Sequence, residues 1–600
     1  MGGVDGGSDS EPDRTDEQER LSELARRRGL FFQSSGAYGG VSGFYTYGPT
    51  GAAIKQNVED AWRDRFSIQE GHMEIDAPTI MPEAVFEASG HLDTFDDMLV
   101  ECPDCGESHR ADHLVEDHTD IEDAEQYTPE EVAEFIAEHG ITCPVCGAIL
   151  ADEPIEEFNL MFETNIGPGT ASTGYLRPET AQGIFVEFPR LKEYARGQLP
   201  FGVTQIGRAY RNEISPRNAL VRVRELTQAE LELFIDPERN EPDLVAVSSV
   251  PLTLYPASNQ QADGEYVETT VAEAVEDGII ASPWIAYYLG VAREWYATIG
   301  VDMDRFRFRQ HLSGERSHYA SDCWDAEAEI EGDWIELAGF AYRSDYDLRK
   351  HDEYSDEEFT IFREYDEPRT VERAVVDPDM SYLGPEFGSD AAAVADALET
   401  RAERTPDAFD TDTVTVTVDG EEYTVPTEKT GFTIETVTEQ GEHTLPHVVE
   451  PSFGVGRTVY TLLIHGYEED VIDGETRTHL TLEPHIAPTT VGVFPLMDRD
   501  GLGDMARLLT EDLRAAGIDV TYDDSGSIGR RYRRQDEVGT PYCVTVDYDT
   551  LEDDTVTIRE RDSADQRRVP SDDLVEVLEA LRTGERAFED VGREAADADA

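Results

Sequence analysis

Apolar positions recur at two different periods along this 600-residue chain. Ile54, Val58, Trp62 and Phe66 return every fourth residue, the spacing of an amphipathic helix over 50–68. It leads into EIDAPTIMPE, an apolar strand carrying Pro78. Proline removes a ladder donor, which puts that strand at a sheet edge or an interface. From 158 to 236 short strands alternate with turns, through GYLRPETAQGIFVEF, LPFGVTQIGRAYRNEI and LVRVRELTQAELELFID. The last two read as antiparallel β turning near Asn218. A helix is expected around WIAYYLGVAREWYATIG, strands at AEIEGDWIELAGFAYR, and a strand, glycine turn and helix in HVVEPSFGVGRTVYTLLIHGY. VTVDGEEYTV reads as a hairpin turning at Asp419-Gly420. After Pro484 and Pro488, strands and helices alternate from VGVFPLM to DLVEVLEALRTG, a compact α/β domain over 485–585. At this length several domains are expected, because single cores stop growing near ~250 residues.

No run of about 18 apolar residues occurs and the N-terminus has no apolar core, so neither a membrane span nor a secretory leader is expected. Charge changes the picture more. The chain has 129 Asp+Glu against 49 Lys+Arg, a formal net charge of −80. The excess runs through every segment, and lysine is scarce. It reads as adaptation to concentrated salt, where the Debye length falls to ~3 Å at 1 M; the alternative is an ordinary acidic cytosolic protein. Long-range attraction to phosphate is weak in such salt, so any nucleic-acid contact must be short-range and geometric.

Four of the six cysteines form two CPxC pairs, Cys102/Cys105 and Cys143/Cys146. Without a secretory leader disulfides are disfavoured, and two knuckles of this kind suit a tetrahedral zinc ribbon. The alternative is a ribbon that keeps its shape without metal. The helical stretch TPEEVAEFIAEHG loops out between the knuckles.

Against this acidity, GRAYRNEISPRNALVRVR (207–224) holds five arginines and one acid, Glu213. On strands, side chains two apart share a face. Arg211 would then point with Glu213, and Arg222 with Arg224, to grip phosphate oxygens. The alternative is a salt-bridge ladder. Gly454-Val455-Gly456-Arg457 lies between a strand and a helix, where glycines admit a nucleotide and a cation in the first turn needs an anion. A plain turn is the alternative. Arg110 is the only Lys or Arg between Arg65 and Arg177, which suggests an anionic ligand or an internal salt bridge. Arg530, Arg531, Arg533 and Arg534 surround Tyr532, a pattern suited to phosphate contact with base stacking, or to a solvated helix face.

Taken together, these residues resemble a class II aminoacyl-tRNA synthetase, and more closely the homodimeric type of glycyl-tRNA synthetase, in a halophilic archaeal-like form. The helix over 50–68 with EIDAPTIMP resembles motif 1, RAYRNEISPR through VRVRELTQAELELF motif 2, and EPSFGVGRTVYTLL motif 3. YLRPETAQGIFVEF and GSIGRRYRRQDEVGTPYCVTVD are more specific to the family. The resemblance implies that Arg211, Asn212 and Glu213 hold ATP, with Arg211 on the α-phosphate and Glu213 at adenine. Val221, Arg222, Val223, Arg224, Glu225 and Leu226 would line the nucleotide. Glu336 and Leu337 would also contact ATP, Glu336 as a magnesium ligand. Gly454, Val455, Gly456 and Arg457 would close over the phosphates, with Arg457 on the γ-phosphate. Leu226, Thr227, Gln228, Ala229 and Glu230 would face glycine. So would Arg110, Glu179, Arg343, Glu450, Pro451, Ser452, Phe453 and Gly454. Where the family often has Asp before the motif 3 arginine, this chain has Gly456.

The implied protein is an ATP-dependent, magnesium-dependent ligase. It makes glycyl-adenylate and transfers glycine to the 3′ end of tRNA(Gly), as a cytoplasmic homodimer. Arg530, Arg531, Arg533 and Arg534 would contact tRNA. The implied fold is an α+β catalytic core, an antiparallel sheet flanked by helices with insertions, plus a C-terminal α/β anticodon-binding domain. Core pieces are expected at 20–94, 158–239, 321–351 and 444–484, insertions at 95–157, 240–320 and 352–443, the anticodon-binding domain at 485–585, and acidic tails at 1–19 and 586–600.

Overall fold

The computed structural model describes residues 15–594 except 120, 122–123, 125–126, 169–171, 217–218, 263, 313–321, 331, 419 and 473, with side chains from residue 20 onward. Outside the described residues lie most of the expected 1–19 tail, the end of the 586–600 tail, Arg217 and Asn218 of the arginine stretch, and Asp419 of the hairpin turn. A helix, Thr15–Arg28, begins inside the first tail. The chain forms two compact units, one of 1–359 with 446–600 and one of 360–445.

Nine strands make the principal sheet of the first unit. In chain order they are β1 (Met73–Glu74), β2 (Phe201–Tyr210), β3 (Glu225–Ile235), β4 (Pro251–Tyr255), β5 (Val267–Thr270), β6 (Phe306–Gln310), β7 (Asp322–Ile330), β8 (Asp333–Ser344) and β9 (His447–Gly454). Their spatial order is β5-β4-β6-β7-β8-β9-β3-β2-β1. All neighbours are antiparallel except β4/β6 and β2/β1. Alternation along the strands sorts the two faces. On β3, Ala229, Leu231, Leu233 and Ile235 enter the core, while Gln228, Glu230 and Glu232 are buried on the opposite face.

Three helices cover the core face: α1 (Pro49–Arg63), α2 (Pro283–Thr298) and α3 (Val455–His465). α1 starts with proline at its first position, whose missing N–H costs nothing there. Ile54, Val58 and Trp62, with Phe66 in the following π-turn, form its apolar stripe and are at most 1% exposed. Each such side chain contributes about 1.5–3 kcal/mol on burial. Phe453 of β9 packs on Phe66 at 4.7 Å and Trp295 at 5.5 Å between ring centres.

Two expectations change here. Residues 240–320, read as an insertion, supply β4, β5, β6 and α2 to this sheet and its core. Their long-range pairing leaves no local signature in sequence. EIDAPTIMPE is not one strand: β1 ends at Glu74, and Ile80–Pro82 pairs with a different strand, Thr173–Leu176.

Around the two knuckles, Asp96–Glu101 pairs with Ser108–Arg110 and Ile155–Asn159. Helix Pro129–His139 starts with a Thr128/Glu131 capping box and packs Val132 and Ile136 into a small separate core. The unit 360–445 has its own core of Leu383, Val394, Leu398, Val414 and Val425. It carries the hairpin Thr413–Val418/Glu421–Pro426 and a long ribbon, Ile361–Val375 with Thr433–Thr444. At the C-terminal end, Val491–Pro495 runs parallel to Val520–Tyr522 and Tyr542–Val546. Thr555–Glu560, Gln566–Pro570 and Arg593–Glu594 continue that sheet antiparallel, over a core shared with helices Leu502–Ala515 and Leu574–Arg582.

Candidate active site

β2 ends at Tyr210 and β3 begins at Glu225, so the described residues between them, 211–216 and 219–224, are a loop rather than the two expected strands. Arg211 and Glu213 therefore do not share a strand face, yet both line one cleft of about 150 Å³ above the sheet. Arg211 Nε donates to Pro178 O at 3.2 Å, and its guanidinium lies 5.6 Å from the Phe95 ring centre. Arg457 reaches the same cleft from the first turn of α3. It donates to Val221 O at 3.1 Å, and to Glu336 through O and Oε2, both at 2.9 Å. Glu336 answers the helix-dipole problem in this structure, as an acceptor that a phosphate can replace.

Arg222 lies 3.3 Å from Glu213 Oε2, inside the cleft. Arg224 instead donates to Glu213 O at 2.8 and 3.0 Å and to Ser42 O at 2.9 Å, clamping the loop. Val221, Val223, Glu225 and Leu226 line the cleft, as do Gly454 and Gly456. Leu337 contributes to the wall although its side chain is 1% exposed. Asn212 sits beside the wall, its N–H donating to Leu160 O at 2.8 Å.

The sheet register extends this floor in rows. Glu230 pairs with Ser452, Ser452 with Gly339, and Gly339 with Asp325. One row further, Glu450 pairs with Ala341. Glu230 accepts from Ser452 Oγ at 2.7 Å, from Gln228 Nε2 at 3.0 Å and from the Thr180 hydroxyl. Burial, with Glu179 close by, raises the Glu230 carboxyl above its usual range. Burial also pushes Glu450 up to about 8, against the pull of Arg343. Arg343 Nη1 bonds Glu450 at 2.7 Å, and its other nitrogens bond Asp347 at 2.7 and 2.8 Å. Burial opposes ionisation of Glu179 too, but His91, 3.7 Å away, outweighs it with help from Arg343 and Gln182 and holds that carboxyl low. Glu232 is fully buried with neither oxygen hydrogen-bonded among the described residues, and burial raises it well above the usual range. Glu179, Glu232, Glu450 and Asp347 thus gather around Arg343. The ionised Glu179 and the protonated neighbours together offer oxygen acceptors to a small ammonium.

Several expected residues lie elsewhere. Ala229 and Phe453 point into the core beneath the sheet, and alternation turns Pro451 the same way, so none presents its side chain to the glutamates. Val455 is likewise 2% exposed in the core. Thr227 and Gln228 line the cleft. Arg110 does not line the cleft but pairs with Asp97 at 3.1 Å and with Asp112, and Asp97 also feels the cleft residues Glu213 and Arg222. In the C-terminal cluster Arg530 is exposed and the Arg533 side chain is 43% exposed. Arg531 is 2% exposed and donates to Pro495 O, Asp524 O and Gly526 O, so its expected contact with tRNA is corrected to an internal clamp. Arg533 pairs with Glu475, and Arg534 with Asp523. The local composition that marked this helix does not reveal which side faces inward.

Cys102 Sγ lies 3.5 Å from Cys146 Sγ, and Cys105 Sγ 3.7 Å from Cys143 Sγ. All four sulfurs fall within 4.8 Å of one another. A tetrahedron with Zn–S of ~2.3 Å has edges of ~3.8 Å, so the set fits zinc closely.

Tyr45, Tyr47, Arg208, Leu220 and Gly339 line the cleft without having been expected there. Nothing local marks the tyrosines. Glu232 did have a signal: with Glu230 it forms an alternating acid pair in the otherwise apolar ELELFI.

An anticodon binding domain model matches residues 490–581. The chain is 48% identical to a glycine–tRNA ligase of Methanothrix thermoacetophila over 96% of this chain and 99% of that protein. It is 47% identical to one of Methanothermobacter thermautotrophicus over 94% and 99%. The relative from Archaeoglobus fulgidus, also a glycine–tRNA ligase, is 45% identical over 95% and 98%.

Proposed function

Because the chain belongs to the glycine–tRNA ligase family, we propose that it activates glycine with ATP and transfers it to the 3′ end of tRNA(Gly). The observation that carries the residue roles is the shared cleft: Arg211 and Arg457, 246 positions apart in sequence, line one cavity beside the glutamate pocket. ATP lies in the cleft with Arg211 at the α-phosphate and Arg457 at the γ-phosphate. Glu213 and Val221–Leu226 flank the nucleotide. As the glycine carboxylate attacks the α-phosphorus and pyrophosphate leaves, Arg211 stabilises the charge that develops there. No protein nucleophile takes part.

The glycine ammonium sits among Glu179, Glu230 and Glu450. Ser452 and Thr180 orient Glu230, and Arg343 orients Glu450. Gly339 presents no side chain in this row, which leaves space for the methylene. Glycine is the smallest amino acid, so exclusion by bulk suffices and no editing site is needed. Glu336 offers oxygen donors that suit Mg²⁺, which would neutralise phosphate charge. Cys102, Cys105, Cys143 and Cys146 would hold a structural zinc. Arg530 and Arg533 of the C-terminal domain contact tRNA, and the active form is a cytoplasmic homodimer.

Pyrophosphate exchange run with each amino acid in molar KCl tests the substrate. Exchange with glycine alone is expected. Equal exchange with alanine or serine would overturn the pocket assignment.

A further inference from the structure

A second set of unlike donors lies on the same sheet face, beyond the residues used above. His311 follows β6, and its N–H donates to Cys323 O at 3.1 Å across the β6/β7 pair. On β7, Trp324 and Ala326 fill the core, which turns Cys323 and Asp325 toward the cleft side. His311 Nε2 lies 2.7 Å from Asp325 Oδ2. One imidazole nitrogen, the Cys323 sulfur and a carboxylate oxygen all fall within 4.8 Å of one another. His311 Nδ1 is buried and has no hydrogen-bond partner among the described residues. An ion pair alone explains His311 with Asp325, but not a thiol set against both.

The donor chemistry narrows the ligand. Hard cations take oxygen, whereas a mixed nitrogen, sulfur and oxygen set suits Zn²⁺, Co²⁺ or Ni²⁺. Zinc with bonds of ~2.0–2.3 Å needs donor separations of ~3.3–3.8 Å, so the His311–Asp325 contact must open slightly and the thiol close in. We propose that His311, Cys323 and Asp325 form a transition-metal site at the margin of the cleft, with a fourth position left for water or substrate. Gly339, which lines the cleft, pairs with Asp325, so the site borders the reaction space. Uptake exchanges one divalent cation for two protons, one from the imidazolium and one from the thiol, leaving a neutral imidazole, a thiolate and a carboxylate as ligands.

The test counts metal on the full chain. After chelation and reloading with Co²⁺, elemental analysis should find two equivalents per wild-type chain, one in the four-cysteine cage and one here. His311→Ala and Cys323→Ser should each retain one. Cys102→Ser/Cys143→Ser should also retain one, with a visible spectrum of single-thiolate intensity, and adding His311→Ala should remove it. A single equivalent in wild type that disappears with the ribbon cysteines would overturn the site, and needs no folded variant at position 311. Two equivalents persisting in both His311→Ala and Cys323→Ser would overturn it equally.

Discussion

Replacing Gly339 by alanine probes the floor of the glycine pocket with a single methyl group. Gly339 sits in the row shared by Asp325, Ser452 and Glu230. A Cβ built there meets nothing closer than Asp325 Oδ1 at 3.6 Å, an ordinary contact. The fold therefore has room, and folding stability should change by less than about 1 kcal/mol, with a small gain from reduced freedom of the unfolded chain. The substrate has no such room, because the new methyl occupies the space assigned to the glycine methylene. Overpacking of that size costs about 1–3 kcal/mol. At 1.36 kcal/mol per decade, kcat/KM for glycine should fall about 5- to 150-fold. The assay is glycine-dependent pyrophosphate exchange with KM measured for both substrates, alongside a thermal melt. KM for glycine should rise while KM for ATP stays within threefold. A glycine kcat/KM within twofold of wild type, on an intact fold, would refute the placement. An equal rise in KM for ATP would show that the nucleotide occupies this row.

Arg211→Ala should reduce pyrophosphate exchange at least 100-fold through kcat with an unchanged melting temperature, because the guanidinium acts mainly in the transition state; exchange near wild type would remove Arg211 from that role. Folded Glu450 keeps its proton up to about pH 8, while the unfolded chain releases it near 4.5, so between those values stability falls as pH rises. Glu450→Gln should flatten the fall by up to about 1.4 kcal/mol per pH unit in urea melts at pH 5.5, 6.5 and 7.5; identical slopes would place the proton elsewhere among the glutamates. Arg531→Ala strips a buried charged donor from three carbonyls and should destabilise by about 3 kcal/mol, lowering the melting temperature before any effect on tRNA. Arg530→Ala, at an exposed position, should instead leave stability within about 0.5 kcal/mol and raise KM for tRNA while sparing exchange. Loss of exchange in Arg530→Ala would separate that residue from tRNA contact.

How much of this was legible depends on whether the signal was local. The four-residue spacing of α1, the helix read in TPEEVAEFIAEHG and the antiparallel pairing read for β3 all survive into the structure, because each element's own periodicity decides which face it buries. The loop 211–224 misled for the same reason: Arg211, Glu213, Arg222 and Arg224 alternate as a strand would, yet the chain between β2 and β3 is held open by Arg224 gripping Glu213 O and Ser42 O. Which strands join β7 and β8 was not readable either. β4 and β6 pair through contacts set by the tertiary fold, and nothing in residues 240–320 announces them. The motif 2 and motif 3 arginines were found from composition and resemblance, but their meeting in one cleft is a fact of topology alone.

The C-terminal arginines carry a last consequence. Arg477, Arg531, Arg559 and Arg561 are at most 6% exposed, and Arg477 and Arg559 meet on Asp536. Among the described residues eight arginines are interior framework of this kind, against 49 Lys and Arg in the chain, while the negative excess is left largely to the solvent side. Dissolved ions reach only the latter, since buried pairs are poorly screened. Diluting the medium would strain the molecule from outside, carboxylate against carboxylate, before it loosened a single internal strut.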